Sequence, residues 1–298
     1  MSTNSLLCTS CGAVWLSESA EKLRDQSQGC LRCGGMLLAL DEPVAPPTSG
    51  SPLFAVTQAA GALGRRVAAR LARLGVAQRL VDDTGDMHRA LTGVQTLFLV
   101  PAEELPDGLQ QHAAVDAAVD AGVERIVYVS VLSAAANATF SGARDDFQTE
   151  EHARASGMSC TFLRPSPYFD LLPTLCSAAG VIENPAGDGR VACVSQDDVA
   201  DVAVVVLTED DHNGRTYDVT GPVAQTMAEI AHELSLATGR PISYRARPLE
   251  QESIFAAIAA GEMDAVSDTV AKLTGHDPQT FSDYLRQHPE SYEHMVVA

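Results

Sequence analysis

Short unbroken apolar runs alternate with longer stretches of helical period along most of this chain, beginning near residue 53. Residues 53–57 read as a strand. Residues 62–74 read as a helix, with Leu63, Val67, Leu71 and Leu74 on one face and Gly75 as its stop. Further strands are predicted over 77–81, 94–100, 125–131 and 160–163, and helices over 110–121 and 145–155, ended by Gly122 and Gly157. Strand and helix alternating through short loops imply an α/β fold, a doubly wound parallel sheet covered on both faces. The later chain mixes types: strands over 191–194, 216–219 and 242–246, helices over 196–208, 227–237, 250–260, 263–273 and 280–288. This predicts a smaller helix-rich lobe closing over the carboxyl ends of the strands, where open α/β sheets place ligands.

The start of the chain follows a different logic. Residues 41–52, DEPVAPPTSGSP, form a Pro/Gly/Ser-rich linker. Before it stand Cys8, Cys11, Cys30 and Cys33, as CTSC and CLRC with eighteen residues between the pairs. Two such turns aim four thiolates at one ion, so residues 1–40 are expected to form a zinc ribbon. Four cysteines close the coordination and leave no place for a catalytic water, which makes the zinc structural. Gly12, Gly34 and Gly35 suit its turns, and Trp15 and Leu16 its apolar face. A segment this short depends on the metal for much of its stability. Nothing in residues 1–7 reads as a signal peptide, so zinc in a reducing, cytoplasmic setting is expected rather than disulfides.

Composition narrows the partners. The formal net charge of the 298 residues is -19, which repels phosphate and argues against nucleic acid as a target. In the ribbon, Lys22, Arg24 and Arg32 are offset by Glu18, Glu21 and Asp25. No apolar run reaches the length of a membrane span. The expected partners are a small-molecule substrate or dinucleotide, and for the ribbon a protein partner, a second copy or the body of the same chain. Cys160, Cys176 and Cys193 lie in apolar surroundings and read as buried small hydrophobes.

The turn after the first strand of the body reads Thr57-Gln58-Ala59-Ala60-Gly61-Ala62-Leu63-Gly64. Strand, glycine turn and helix is the context in which a dinucleotide pyrophosphate sits on a helix N-terminus. Gly61 and Gly64 suit close backbone approach and helix–sheet packing, while Gln58 replaces the first glycine of the usual pattern. The alternative is a plain strand–helix connection. The second strand ends in Asp82-Asp83, and a carboxylate there accepts from a ribose 2′-OH and repels a 2′-phosphate. Candidate cofactor residues are thus Thr57, Gln58, Gly61, Gly64, Asp82 and, at the end of the third strand, Val100, with NAD(H) favoured over NADP(H).

From about residue 53 onward the chain resembles the NmrA-like branch of the atypical short-chain dehydrogenase/reductases. The resemblance rests on TQAAGALGRRV, LTGVQTLFLV, AAVDAGVERIVYVSVLSA, FQTEEHARASGMSCTFLRPSPYFDLL, GDGRVACVSQDDVADVAVVVL, GRTYDVTGP and LTGHDPQTFSDYLRQH. It implies a Rossmann-like fold with a C-terminal substrate lobe over residues 53–298. It also implies either an NAD(P)H-dependent reductase of quinone-like or aromatic substrates or a dinucleotide-binding regulator. The family's Thr-Gly-Ala-Thr-Gly turn and the arginine after the second strand are replaced here at Gln58, Ala60 and Asp82.

The Tyr-x-x-x-Lys pair of many short-chain dehydrogenases is absent, since Lys22 and Lys272 are the only lysines. Asp146 and Glu150 occupy the segment that aligns with it. Four residues apart, they share a helix face. They form an acid/base pair for a non-redox isomerase, lyase or cyclase if one carboxyl is held protonated, or they face solvent in the helix's first turn, favoured by its dipole. Ser130, at the end of the fourth strand, and Tyr168, in a Pro-rich loop, are the remaining catalytic candidates; Tyr128 is expected to pack in the sheet. The histidines do not cluster in sequence, and there is no Gly-x-Ser-x-Gly or His-Glu-x-x-His.

Overall fold

The computed structural model describes residues 53–81, 87–101, 109–248 and 253–296, together with the backbone of three strands within residues 5–40. Those strands are β1 (Ser5–Cys8), β2 (Val14–Leu16) and β3 (Leu37–Leu40), paired antiparallel in the order β2-β1-β3. Cys8 ends β1, opposite Leu37. Cys11, Cys30 and Cys33 and the metal set they were expected to form lie outside the described residues, as does the linker.

The body opens with β4 (Phe54–Thr57), α1 (Ala62–Arg73), β5 (Gln78–Val81), α2 (Met87–Leu91), β6 (Thr96–Leu99), α3 (Leu109–Asp120), β7 (Arg125–Val129), α4 (Ser141–Ala155) and β8 (Ser159–Pro165). It continues through α5 (Leu171–Thr174), β9 (Val181–Asn184), β10 (Arg190–Val191), α6 (Gln196–Thr208), β11 (Thr216–Val219), β12 (Gln225–Thr226), α7 (Met227–Thr238) and β13 (Ser243–Ala246). It closes with α8 (Ile254–Ala259), α9 (Thr269–Thr274), α10 (Phe281–Gln287), a 3-10 turn (Pro289–Tyr292) and α11 (Glu293–Val296).

Six strands form one parallel sheet in the order β11-β8-β7-β6-β4-β5. Alternation along each strand feeds two cores. Val56, Phe98, Val127 and Leu163 face α1 and α6. Ala55, Leu97, Ile126 and Phe162 face α2, α3 and α4. α1 and α6 are joined at their polar rim by Arg70, which pairs with Asp197 at 2.8 Å and Asp201 at 2.6 Å. The doubly wound sheet expected from the alternation is therefore present. The strand order reverses between β4 and β6: the chain runs outward to β5, then crosses back over β4. β5 is the edge strand.

The later elements build a third core around Phe169, Ile182, Met227, Ile230, Leu234, Phe281 and Tyr284. Phe169, just beyond β8, is 5.4 Å from Phe281 and 5.7 Å from Tyr284, ring to ring, and so anchors this lobe to the end of the sheet. Two small sheets, β10-β12 and β9-β13, complete it. The lobe also grips the loop after β7, where the Thr139 amide donates to both oxygens of Glu262 at 3.0 and 3.2 Å.

Several elements differ from expectation. The strand expected over 191–194 is only Arg190–Val191, because Val194 bridges to Tyr168 instead of continuing a ladder. The helices expected over 250–260 and 263–273 shrink to Ile254–Ala259 and Thr269–Thr274. α2, α5 and β9 were not foreseen, being too short to show a period.

Candidate active site

The reversal of strand order brings the carboxyl ends of β4 and β6 together, and a cleft opens above them. It is lined by Thr57, Gln58, Leu99, Val100, Gln111 and Met87, among others. Thr57 is spoken for: its hydroxyl donates to the Val100 carbonyl at 3.2 Å and accepts from the Val100 amide at 2.8 Å. It ties the two strand ends together and is not a free ligand group.

The turn keeps the shape of a phosphate cradle. Gln58 stands at φ 47, the left-handed region a glycine would occupy without strain. Its carbonyl accepts from the Gly61 amide at 2.9 Å. A Cβ on Gly64 would lie 2.0 Å from that carbonyl oxygen and 2.9 Å from the Thr57 oxygen, so only glycine lets α1 approach β4 this closely. At Gly61 the same test gives 3.1 Å, a tight contact. No side chain caps α1 and no acid stands in its first turn, which leaves its amides to an anion.

One further polar group in the cleft is not predicted by any motif. Gln111 is 7% exposed, and its Oε1 is buried without a hydrogen-bond partner. A buried acceptor left unpaired costs about 1–3 kcal/mol, a cost that a ligand hydroxyl would remove. The residues present therefore fit a nucleotide: open amides for phosphate, and an unpaired acceptor for a hydroxyl. Asp82, the expected ribose ligand, lies outside the described residues. Arg79 points away from the cleft, donating to the Ala90 and Thr92 carbonyls at the end of α2 at 2.6 and 2.9 Å.

The two carboxylates expected to pair are separated into different networks. α4 begins at Ser141, so neither lies in its first turn, and the expectation of solvated first-turn acids fails. Glu150 is fully buried. Arg164, on the neighbouring β8, grips it with two parallel bonds, Nε to Oε1 at 2.8 Å and Nη2 to Oε2 at 2.7 Å. Arg154 adds a bond to Oε2 at 3.0 Å, and the Ser130 hydroxyl donates to Oε1 at 2.7 Å. Both oxygens are committed, and so is the Ser130 hydroxyl.

Asp146 instead accepts from the Tyr128 hydroxyl. Tyr128 and Ser130 are two apart on one strand edge and both face α4. The Tyr128 ring is fully buried, in accord with its expected packing in the sheet. Burial pushes the Asp146 carboxyl up to about 7, opposed by its bond from Tyr128 and helped by the nearby charges of Glu150 and Asp145. Burial also raises Tyr128, further helped by Asp146 beside it. Asp146 is thus a carboxyl that exchanges its proton near neutral pH. Tyr168 is partly buried against the α1–α6 core, its backbone bridged to Val194.

Sequence reasoning also missed a histidine pair. His112 and His152 stack 4.7 Å apart, and His152 is 2.7 Å from Asp116. Residues forty positions apart carry no local signal of such a contact. Cys160, Cys176 and Cys193 are buried, as expected. Among the described residues no helix is long and apolar enough to cross a membrane.

Comparison with known proteins gives a consistent family. The model of the NmrA-like family matches residues 65–278, beginning just after Gly64. The NAD(P)H azoreductase of Xenophilus azovorans is 32% identical over 68% of this chain and 78% of its own. Quinone oxidoreductase 2 of Escherichia coli strain K12 is 32% identical over 72% of this chain and 82% of its own. The structure of the Citrobacter sp. triphenylmethane reductase complexed with NADP(H) superposes with a TM-score of 0.66 at 26% identity, covering 78% of this chain and 99% of that one.

Proposed function

The chain belongs to the NmrA-like family, and on that premise we propose that it is an NAD(P)H-dependent oxidoreductase reducing small quinone-like or aromatic substrates. The observation that carries the reading is the turn from Thr57 to Gly64, a strained but intact phosphate cradle at the reversal of strand order. The azo, quinone and triphenylmethane reductases similar to it supply the substrate class.

The bound nicotinamide, when present, supplies the hydride. The chain's own residues do the rest. The α1 amides hold the phosphates, with Gly61 and Gly64 permitting the approach. Asp82 accepts from the ribose and favours NADH over NADPH. Asp146, with Tyr128 behind it, holds a proton near neutral pH and delivers it to the reduced substrate. Glu150, Arg164 and Ser130 fix α4 against β7 and β8, so that Asp146 stays in place.

Gln58 supports a second reading, dinucleotide binding without turnover, because its side chain stands where the usual glycine leaves room. The two are separated by mixing purified protein with NADH, or with NADPH, and a benzoquinone or an azo dye. Consumption of the nicotinamide that requires both protein and acceptor supports the reductase. Binding without consumption across a panel of such acceptors supports the sensor.

For residues 1–40 we propose a structural zinc held by Cys8, Cys11, Cys30 and Cys33, in a module that packs on the body, on a second copy or on a protein partner. The antiparallel order β2-β1-β3, with Cys8 ending β1, supports it. Metal analysis of the full chain is expected to find one zinc, lost when the cysteines are replaced by serine.

A further inference from the structure

Helix α4 carries Asp146 but has no capping side chain: Phe140 stands at its N-cap and makes no side-chain bond to the first turn. Its start is fixed instead through the loop before it. The Arg144 guanidinium donates back to the Ala138 and Thr139 carbonyls at 2.7 and 3.1 Å. Thr139 is in turn held by one residue of the lobe. Its amide donates to both oxygens of Glu262, and its hydroxyl donates to Oε1 at 2.5 Å. The Ser133 hydroxyl donates to the Glu262 carbonyl. Ser133 stands at φ 61, a left-handed conformation that disfavours any residue but glycine and persists only where the surroundings hold it. Glu262 is itself anchored: its amide donates to the Ala257 carbonyl at 3.0 Å, and the carbonyl of the fully buried Met263 accepts from the Ala192 amide at 3.0 Å. Leu132 and Phe140, toward the two ends of the loop, pack in the lobe core.

We propose that Glu262 is a positioning residue: it holds the start of α4, and through it the Asp146 carboxyl against Tyr128, so that the lobe sets where the proton donor stands. The donor's role rests on the reductase reading above; its placement does not. Burial is the largest cause of the rise of Asp146 to about 7, ahead of its bond from Tyr128 and the charges of Glu150, Asp145 and Arg164. Loosening the first turns of α4 admits water to the carboxyl and returns its titration toward the ordinary carboxyl range.

The test is a carbon-13 NMR titration of the Asp146 carboxyl in the full chain, its signal assigned by its loss in Asp146→Asn. Glu262→Ala is expected to lower the midpoint by about one pH unit or more. Glu262→Gln removes the charge but keeps an acceptor oxygen for Thr139, and is expected to leave the midpoint within about 0.3 of a pH unit, which separates placement from charge. Thr139→Val removes a single bond and is expected to lower the midpoint by less than Glu262→Ala; it decides the question if that variant does not fold. An unchanged midpoint in folded Glu262→Ala, or in Thr139→Val where Glu262→Ala is unfolded, overturns the proposal. So does an equal fall in Glu262→Ala and Glu262→Gln. A wild-type chain that consumes neither NADH nor NADPH with any quinone or azo acceptor overturns the reductase reading alone, because the titration needs no turnover.

Discussion

Replacing Glu150 with glutamine tests whether the segment aligned with the family's missing catalytic pair is structural at its second position. The carboxylate is fully buried and accepts four hydrogen bonds, two from Arg164, one from Arg154 and one from Ser130. Glutamine keeps one acceptor oxygen but turns an NH2 toward guanidinium donors, and it leaves Arg164, whose side chain is only 19% exposed, with only the more distant charges of Asp218 and Asp146. Breaking a buried pair from one side costs about 3–5 kcal/mol. Arg154 is 40% exposed and reaches Glu151 as well, so its share falls in the range of surface pairs, about 1 kcal/mol or less. The low end, about 3 kcal/mol, is therefore expected, or a melting temperature lower by about 6–12 °C for a body of this size. Thermal and urea unfolding measure it. The double variant Glu150→Leu/Arg164→Leu is expected to recover most of the loss, since removing both charges together removes the desolvation penalty. A loss below about 1 kcal/mol in Glu150→Gln, or a double variant as unstable as the sum of its singles, refutes the buried-pair account.

Three further outcomes follow from the same geometry. Gly64→Ala places a Cβ 2.0 Å from a backbone carbonyl that has no side-chain freedom to yield, and is expected to cost about 1–3 kcal/mol and to weaken cofactor binding; unchanged affinity by titration counts against the cradle. Gln58→Gly relieves a residue at φ 47 while loosening the unfolded chain, so stability is expected to change by less than about 1 kcal/mol while NADH binds more tightly; weaker binding would mean that the Gln58 side chain is itself a ligand. Because the Asp146 carboxyl is raised from 3.8 to about 7, the native state favours its protonated form. Its stabilising contribution is complete below the ordinary carboxyl range and is lost as pH rises through about 7, so stability is expected to decline between pH about 4 and about 7 and to level off above, a decline that Asp146→Asn flattens; an identical pH profile in the variant refutes the shift.

The body of the fold was legible because its signals are local. Alternating runs and glycine stops located the central strands, and helix α6 (Gln196–Thr208) and strand β11 (Thr216–Val219) match the predicted spans. What escaped was set by contacts distant in sequence. α4 starts a turn earlier than its apolar pattern suggests, and that shift moves Glu150 from an exposed first turn into a buried network whose key partner, Arg164, sits on the next strand. Asp146 and Glu150, four apart and alike in sequence, part company because Tyr128 and Arg164 lie beneath different positions of one helix. Gln111 carries no motif at all; only the convergence of β4, β6 and α3 shows that its oxygen is enclosed and unpaired.

The central claim is that the turn from Thr57 to Gly64 binds a reduced nicotinamide cofactor. Titration of the full chain with NADH, followed by the change in nicotinamide fluorescence, tests it most directly. The account predicts a saturable signal with a dissociation constant between about 1 μM and 1 mM, weakened by Gly64→Ala in protein that remains folded. No saturable signal at millimolar NADH or NADPH would contradict it.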